Sequence, residues 1–531
     1  MNLFRSAALI SALTLVSRIT GLIRENLIAT QFGAGPMTDA FFVAFRLPNM
    51  LRRMFAEGAF SQAFVPLLAQ ERAKAETQGG PQGAKTLIDR VATALFWGVL
   101  LISMIGVIAA PGLVWLVAGG LARNPESFDA AVIMTRWMFP YILLVSLFAL
   151  SAGILNTWKR FAVPAVTPVL LNLAIIGAAL FLADYFNPPI YALAAGVILG
   201  GLAQLAIQIP ALRRIGMLPK IDWNLRAAYS DPGTRRVLTL MAPAVLAVSA
   251  QQISLLINTH IASRLEAGSV SWVSFGDRLM EFPTALIAVA LGTVLLPSLS
   301  AAVADENRAE YSALLDWGLR LAMVMAAPAA VGLFVMAEPL TALLYHYGQF
   351  GARDVQMTAR TVQFWSIGLI GLSAIKILAP GFFAHQNIAT PVKIAIVAMV
   401  VTQLLNIVLV PRFAHAGLAL SISLAAMLNA SLLLGGLLYR GQYRPQPGWM
   451  GFSLRVLTAS SVLGISLLWV VPQFDWIAMQ NTPWQRIGLV LGTVTCGAAL
   501  YAVALLCFGL HPSRLMSKPP GPPDKPNARP E

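Results

Sequence analysis

The sequence predicts an all-α polytopic membrane protein with fourteen transmembrane helices: two six-helix lobes in pseudo-twofold repeat, plus two C-terminal helices. Three observations carry this prediction. Apolar residues make up 57% of the 531 positions and charged residues only 11%. The apolar residues gather in stretches of membrane-spanning length, and the first half of the chain recurs in the second. Soluble domains hold roughly 45–50% apolar and about 25% charged residues, so this chain has too little charge to cover a solvated surface.

A spanning helix needs about 20 largely apolar residues. Fourteen such stretches lie at 7–30, 37–57, 91–118, 132–155, 163–183, 189–210, 238–260, 272–299, 316–338, 361–384, 391–411, 415–438, 452–472 and 486–510. The first resembles a secretory signal, with Arg5 ahead of an apolar run. Arg18 and Arg24 inside it, and the lack of a small-residue cleavage site, make it a retained helix. Linkers are short and marked by turn residues such as Gly33, Pro36, Pro188, Pro189 and Gly448, and none could house a soluble domain. Residues 511–531 are proline-rich and charged, and are expected to form a disordered cytoplasmic tail.

Orientation follows from the bias of Lys and Arg to cytoplasmic loops. The even-numbered gaps carry Arg72, Lys74, Lys85, Lys159, Arg160, Arg213, Arg214, Lys220, Arg226, Arg235, Arg236, Arg440 and Arg444, whereas odd gaps hold scattered cations such as Arg123, Arg264, Arg412 and Arg486. Both termini are therefore expected in the cytoplasm. The formal charge of +14 is spread over these gaps and does not form the basic soluble face that nucleic acid requires, so no nucleic-acid partner is expected.

The repeat is legible in matched residues. Ile28 to Gly35 is echoed by Ile261 to Gly268, Arg46-Leu47 by Arg278-Leu279, Pro66 by Pro297, and Leu171-Asn172 by Leu405-Asn406, at an offset within a few residues of 230. An even number of helices separates the copies, so they share one orientation. The domains read as 1–218, a first lobe; 233–440, a second lobe; and 450–510, two additional helices.

The informative residues are cations within spans: Arg18 and Arg24 in the first, Arg46, Arg52 and Arg53 in the second, and Arg278 in the eighth. Each costs about 3 kcal/mol at a helix centre, so six cost on the order of 18 kcal/mol, which rivals the stability of a whole domain. Glu25, Asp39, Glu57, Asp277 and Glu281 allow partial pairing. Asp39, Arg46 and Arg53 recur at seven-residue spacing along one stripe. Arg52 lies off that stripe and Pro48 kinks the helix between them, so geometry leaves open which of Arg52 and Arg53 faces a cavity. The plain alternative is that individual arginines, or the lone Arg136, snorkel to the interface or pair structurally. As a cluster short of acids, the guanidinium forks match phosphate or carboxylate, so the expected ligand is an anion. Arg46, Arg53, Asn49, Asp277 and Glu281 are further candidates for the same cavity. Arg320 and Lys376 read as lone structural cations without a partner set.

Other chemistry is missing from the sequence. The five histidines are dispersed without ligand spacing, so no metal is expected. Cys496 and Cys507 offer neither a disulfide framework nor a zinc pair. There is no Gly-Lys-Ser/Thr phosphate loop, nucleophile elbow or paired loop carboxylates. A conduit without a cofactor is expected, not an enzyme.

Thr38-Asp-Ala-Phe-Phe-Val-Ala-Phe-Arg-Leu-Pro-Asn-Met-Leu-Arg-Arg-Met-Phe-Ala-Glu-Gly-Ala-Phe-Ser-Gln-Ala-Phe-Val-Pro66 resembles the signature of the MurJ (MviN) family. Ser17 to Arg24, Asp277 to Pro283, Leu378 to Phe383, Thr390 to Lys393 and His415-Ala-Gly-Leu extend the likeness from Met1 to about Leu510. The resemblance implies a lipid II flippase of the multidrug/oligosaccharidyl-lipid/polysaccharide exporter superfamily. Such a protein would sit in the bacterial inner membrane and carry the undecaprenyl-pyrophosphate-linked disaccharide-pentapeptide to the periplasmic leaflet by alternating access. It also implies that Arg18, Arg24, Arg52 and Arg278 are the substrate-binding arginines of a central cavity, that Asp39 is a periplasmic gate, and that the two extra helices form a groove for the lipid tail. Membrane lipids and wall-synthesis proteins are the other implied partners. The sodium site of some relatives is not carried over, because 237–260 contains no acid. The alternatives are an exporter of another polyprenyl-pyrophosphate-linked glycan, or a non-transporting scaffold for wall synthesis.

Overall fold

The computed structural model describes residues 3–52, 60–78 and 82–510, and its regular structure among them is helical throughout. Helices suit a chain of this composition, because hydrocarbon supplies no water to satisfy backbone N–H and C=O groups and a helix satisfies them within one segment.

The chain divides into two compact units, Met1–Ser271 with Gly348–Phe350, and Trp272–Tyr347 with Gly351–Glu531. The first holds α1 (Leu3–Phe32), α2 (Pro36–Arg52), α3 (Phe60–Gln78), α4 (Gln82–Ile108), α5 (Ala110–Ala118), α6 (Pro125–Met138), α7 (Tyr141–Thr157), α8 (Ala162–Phe181), α9 (Tyr191–Ala206), α10 (Gln208–Arg214), α11 (Leu225–Ser230) and α12 (Pro232–Ser263). α13 (Ser269–Ala304) starts there and runs on into the second. α14 (Arg308–Val335), α15 (Ala337–Tyr345), α16 (Ala352–Ile367), α17 (Leu369–Ala384), α18 (Ala389–Phe413), α19 (His415–Tyr439), α20 (Trp449–Val470) and α21 (Pro483–Cys507) complete the second unit.

Among the described residues nine helical segments are long and apolar enough to cross a bilayer, and the pair α16–α17, bent by 44°, makes a tenth. These coincide with ten of the expected spans. The other four expected spans fall on α1, α2, α12 and α13, three of which carry the intramembrane arginines. The end of the second expected span, with Arg53 and Glu57, lies outside the described residues, as does the expected tail at 511–531.

Small residues set the closest packing. In the first unit Gly196 and Gly200 of α9, one helical turn apart, lie against α8: a Cβ on Gly196 would come within 2.9 Å of Ile175 Cα, and one on Gly200 within 3.1 Å of Leu171 Cα. This is the small-xxx-small device by which membrane helices gain van der Waals contact. In the second unit, α19 packs against α16, α17 and α18 over a core that includes Leu369, Ile377, Phe382, Leu433 and Leu437. Lipid replaces protein on the outer faces: Val400, Leu404, Ile407 and Val408 recur at helical spacing on α18 and are exposed.

α12 packs within the first unit, against α3, α4 and α5. Polar ties at its C-terminal end account for this. Ser263 Oγ accepts from Gly120 N at 3.2 Å, His260 Nδ1 meets the Leu116 carbonyl at 2.9 Å, and Arg123 donates to the Arg264 carbonyl at 2.9 Å.

α21 opens on a fully buried cation. Arg486 lies 4.7 Å from the Tyr347 ring centre, donates to the His346 carbonyl at 3.3 Å, and approaches His346 Nδ1 at 3.4 Å. Burial, and then the charge of Arg486, hold the His346 imidazole below its ordinary value. The unfolded chain therefore binds this proton more readily, and stability is lost as pH falls through about 6.5. Thermal unfolding followed at about pH 7.5 and about pH 5 is expected to show a drop in melting temperature that shrinks in His346→Gln; an equal drop in both proteins would assign the acid sensitivity to other groups.

Candidate functional site

The cations of the first unit sit on α1 and α2. Arg18 is exposed and makes no ion pair or hydrogen bond among the described residues. Arg24, six positions on, is buried at 8% exposure and ion-pairs with Glu25. Its Nη1 donates to Asn172 Oδ1 on α8 at 3.0 Å. The Asn172 amide is itself held, since Nδ2 donates to the Ser17 carbonyl at 3.0 Å and to Thr20 Oγ1 at 3.1 Å. α8 thus aims the Arg24 fork through a neutral clamp. A buried charge needs such satisfaction, because removing one partner strands the other without water.

On α2, Pro48 sits within the helix and separates two polar contacts. Arg46 donates to Thr259 Oγ1 of α12. Past the proline, Arg52 presents Nε and Nη2 to the single oxygen of Asn49, at 3.1 and 2.9 Å. Arg52 and Asn49 are both half-buried.

Asp39 occupies the first turn of α2, with 3% of its surface exposed. Its carboxylate accepts from Gly268 N at 2.7 Å, Ser271 N at 2.8 Å and Ser271 Oγ at 2.6 Å. These donors lie at the start of α13, where the first N–H groups have no partner within the helix. Asp39 therefore serves as an N-cap supplied by a different helix, and its charge faces the positive end of the α13 dipole.

In the second unit Arg278 and Glu281 of α13 pair at 2.6 Å, one turn apart and partly exposed, with Asp277 exposed beside them. Arg320 and Lys376 correct the expectation of lone cations. Arg320 pairs with Asp316, one turn earlier on α14, at 2.8 Å, and Lys376 donates to the Thr284 carbonyl at 2.9 Å. No group of three or more His, Cys, Asp or Glu side chains able to hold a metal occurs among the described residues.

α14, α20 and α21, with Pro283 of α13 and Leu340 of α15, line a half-open chamber of about 450 Å³ in the second unit. Its lining is almost wholly apolar and includes Met325, Leu333, Leu463, Leu467 and Gly497, with Tyr501 at one wall. The Tyr501 hydroxyl is turned away to donate to the Val324 carbonyl at 2.8 Å.

Sequence reading named Arg18, Arg24, Arg52, Arg278 and Asp39, and the structure gives all of them but Arg18 a defined partner among the described residues. It did not assign site roles to Asn172, Thr259 and Ser271. Asn172 carried the one usable signal, an amide inside an apolar span. Thr259 and Ser271 show none, because small hydroxyl residues are common in membrane helices.

Comparison with known proteins bears on the chain as a whole. The family model described as lipid II flippase MurJ matches residues 28–484. A lipid II flippase MurJ from Burkholderia cenocepacia is 52% identical over 509 residues, covering 96% of this chain and 98% of its own. A probable lipid II flippase MurJ from Buchnera aphidicola is 40% identical, covering 89% and 90%. Among solved structures, a lipid II flippase MurJ in an inward closed conformation superposes with a TM-score of 0.74 at 23% identity, over 94% of this chain and 98% of that one. An inward-facing multidrug transporter of the MATE family superposes at 0.61 with 15% identity, over 80% and 95%. These two likenesses concern the fold alone.

The Asp39 cap makes a test. Asp39→Ala leaves the first N–H groups of α13 without an acceptor, at a cost of about 1–3 kcal/mol. Amide hydrogen exchange at Gly268 and Ser271 is expected to accelerate strongly in Asp39→Ala and much less in Asp39→Asn, which keeps an acceptor oxygen. Unchanged exchange in the alanine variant would show that the cap does not hold this helix start.

Proposed function

The chain belongs to the lipid II flippase MurJ family, and from that premise we propose that it moves lipid II from the cytoplasmic to the periplasmic leaflet of the bacterial inner membrane, with both termini in the cytoplasm. The observation that carries the reading is full-length identity of 52% to a lipid II flippase, together with arginines set in the spans of that same chain. Arg18, Arg24, Arg52 and Arg278 bind the pyrophosphate and other anionic groups of the head. Arg46, Arg53, Asn49, Asp277 and Glu281 assist them, and Asp39 acts in the periplasmic gate. The guanidinium fork suits this task, since it stays charged and offers paired donors to phosphate oxygens. The apolar chamber of α14, α20 and α21 receives part of the polyprenyl tail, so that the head crosses among cations while the tail stays in an apolar setting. The two sequence repeats act as lobes that expose the site to one leaflet and then the other. Wall-synthesis proteins are its partners.

No part of this work needs bond-making chemistry. An anion moving outward down an inside-negative potential gains about 2.3 kcal/mol per charge per 100 mV. That is enough to bias the cycle without ATP. Dissipating the potential with an ionophore is expected to slow the appearance of lipid II in the outer leaflet; an unaltered rate would remove voltage from the mechanism.

The decisive experiment is complementation of a strain depleted of its own flippase, with expression matched and outer-leaflet lipid II measured. Wild type is expected to restore growth and export. Arg18→Ala, Arg24→Ala, Arg52→Ala and Arg278→Ala are each expected to reduce export about tenfold or more, as for loss of a charge-assisted hydrogen bond worth about 1.5–3 kcal/mol. Equal export from all five proteins would make the arginines structural, and growth without export would favour a scaffold.

A further inference from the structure

Asp316 lies within α14, a membrane-crossing helix, and is only 1% exposed. An acid in such a place is costly unless partners surround it, and here they come from one short segment. Asp316 Oδ1 accepts from the Tyr443 hydroxyl at 2.8 Å, from Gln446 N at 3.2 Å and from Trp449 Nε1 at 2.5 Å. Oδ2 pairs with Arg320 Nε at 2.8 Å. Arg320 extends the grip: Nη2 donates to the Pro447 carbonyl at 3.2 Å, and its guanidinium sits 5.2 Å from the Trp449 ring centre and 5.4 Å from that of Phe452. One turn before Asp316, Ser312 Oγ accepts from Arg444 N at 3.2 Å. Burial, and then the hydrogen bond to Asp316, raise the Tyr443 phenol well above its ordinary value, so it remains a donor.

Apart from the Asp316–Arg320 pair within α14, these contacts fall on residues 443–452, the loop entering α20 and its first turn. Further along, α20 meets α14 through apolar atoms and a weak Ser453 to Met323 Sδ contact at 3.7 Å. Apolar attraction is non-directional, and inside a membrane it does not drive one helix toward another in preference to lipid. The depth and angle of α20 against α14 are therefore chosen at the Asp316 end. About two and a half to five turns beyond that end, the same two helices supply Met325, Leu333, Leu463 and Leu467 to the chamber wall. A shift of one helix along the other would misplace Leu463 and Leu467 and narrow or split the chamber.

We propose that Asp316 is a positioning residue for transport: by fixing α20 on α14 it sets the shape of the chamber that takes the polyprenyl tail, and so governs selection of the tail. This rests on the reading that the chamber receives that tail. Asp316 itself touches no substrate, and its influence passes through Trp449 and the register of α20.

The test uses the full chain in proteoliposomes, with lipid II carrying either its undecaprenyl tail or a farnesyl tail too short to fill the chamber. Asp316→Ala is expected to slow the long-tailed lipid by about tenfold while the farnesyl form stays within about twofold of wild type. Asp316→Asn keeps an acceptor for Tyr443 and Trp449 and is expected to hold a ratio near wild type. Equal slowing of both lipids would mark Asp316 as a general fold anchor and overturn the proposal, as would no slowing of either. A second measurement does not depend on transport: nitroxides at Phe334 on α14 and Ile465 on α20, both exposed, report the distance between the helices. The distribution is expected to broaden or shift in Asp316→Ala and to stay sharp in Asp316→Asn. An unchanged distribution in the alanine variant overturns the proposal whatever the flux. If wild type moves neither lipid, the flippase reading fails, and the distance measurement still decides whether Asp316 positions α20.

Discussion

Hydrocarbon offers no hydrogen bonds, and most of this molecule follows from that one constraint. Backbone groups must be satisfied inside each segment, which makes the elements helices. Side chains with charge must find partners or water, and the partners found here are specific. Arg24 has Glu25 and Asn172, Arg46 has Thr259, Asp39 has the start of α13, and Asp316 has the start of α20. None of these is an arbitrary surface ion pair, since each joins elements that apolar packing alone would leave free to slide.

Two of the buried acids use the same physics for different ends. Asp39 supplies a carboxylate to bare N–H groups at the beginning of α13, where a helix dipole welcomes negative charge. Asp316 collects side-chain donors, one backbone N–H and a neighbouring guanidinium, and holds the entry to α20. In both cases a helix start is tied by an acid from elsewhere in the chain. The arginines contrast with them. Arg18 stays exposed and the Arg278–Glu281 pair partly exposed, whereas Arg24 and Arg486 are buried among their partners.

Much of the fold was legible because its signals are local. A run of about 20 apolar residues is a span wherever it occurs, and ten of the expected stretches appear as helices that meet the length and hydropathy test. The cationic residues were legible for the same reason, since arginine inside a span is anomalous on sequence alone. Their partners were not. Asn172 is 148 positions from Arg24 and Thr259 is 213 from Arg46, and nothing in one sequence links such distant residues. Arg320 shows a nearer case: its acid lies only one turn away on the same helix, inside an otherwise apolar run.

By itself the sequence determined the class of the protein, the positions of ten of its spans and the sign of the charge set within the apolar stretches. Composition and hydropathy decide these through free energies of transfer that each residue carries with it. Only the tertiary structure decided how that charge is held: a neutral amide aiming Arg24, a distant acid capping α13, α12 tied at Ser263 and His260 to the first unit, and Asp316 locking α20 in register. Hydrogen bonds and ion pairs depend on distances of about 3 Å and on direction, and those are properties of the folded arrangement rather than of any residue within it.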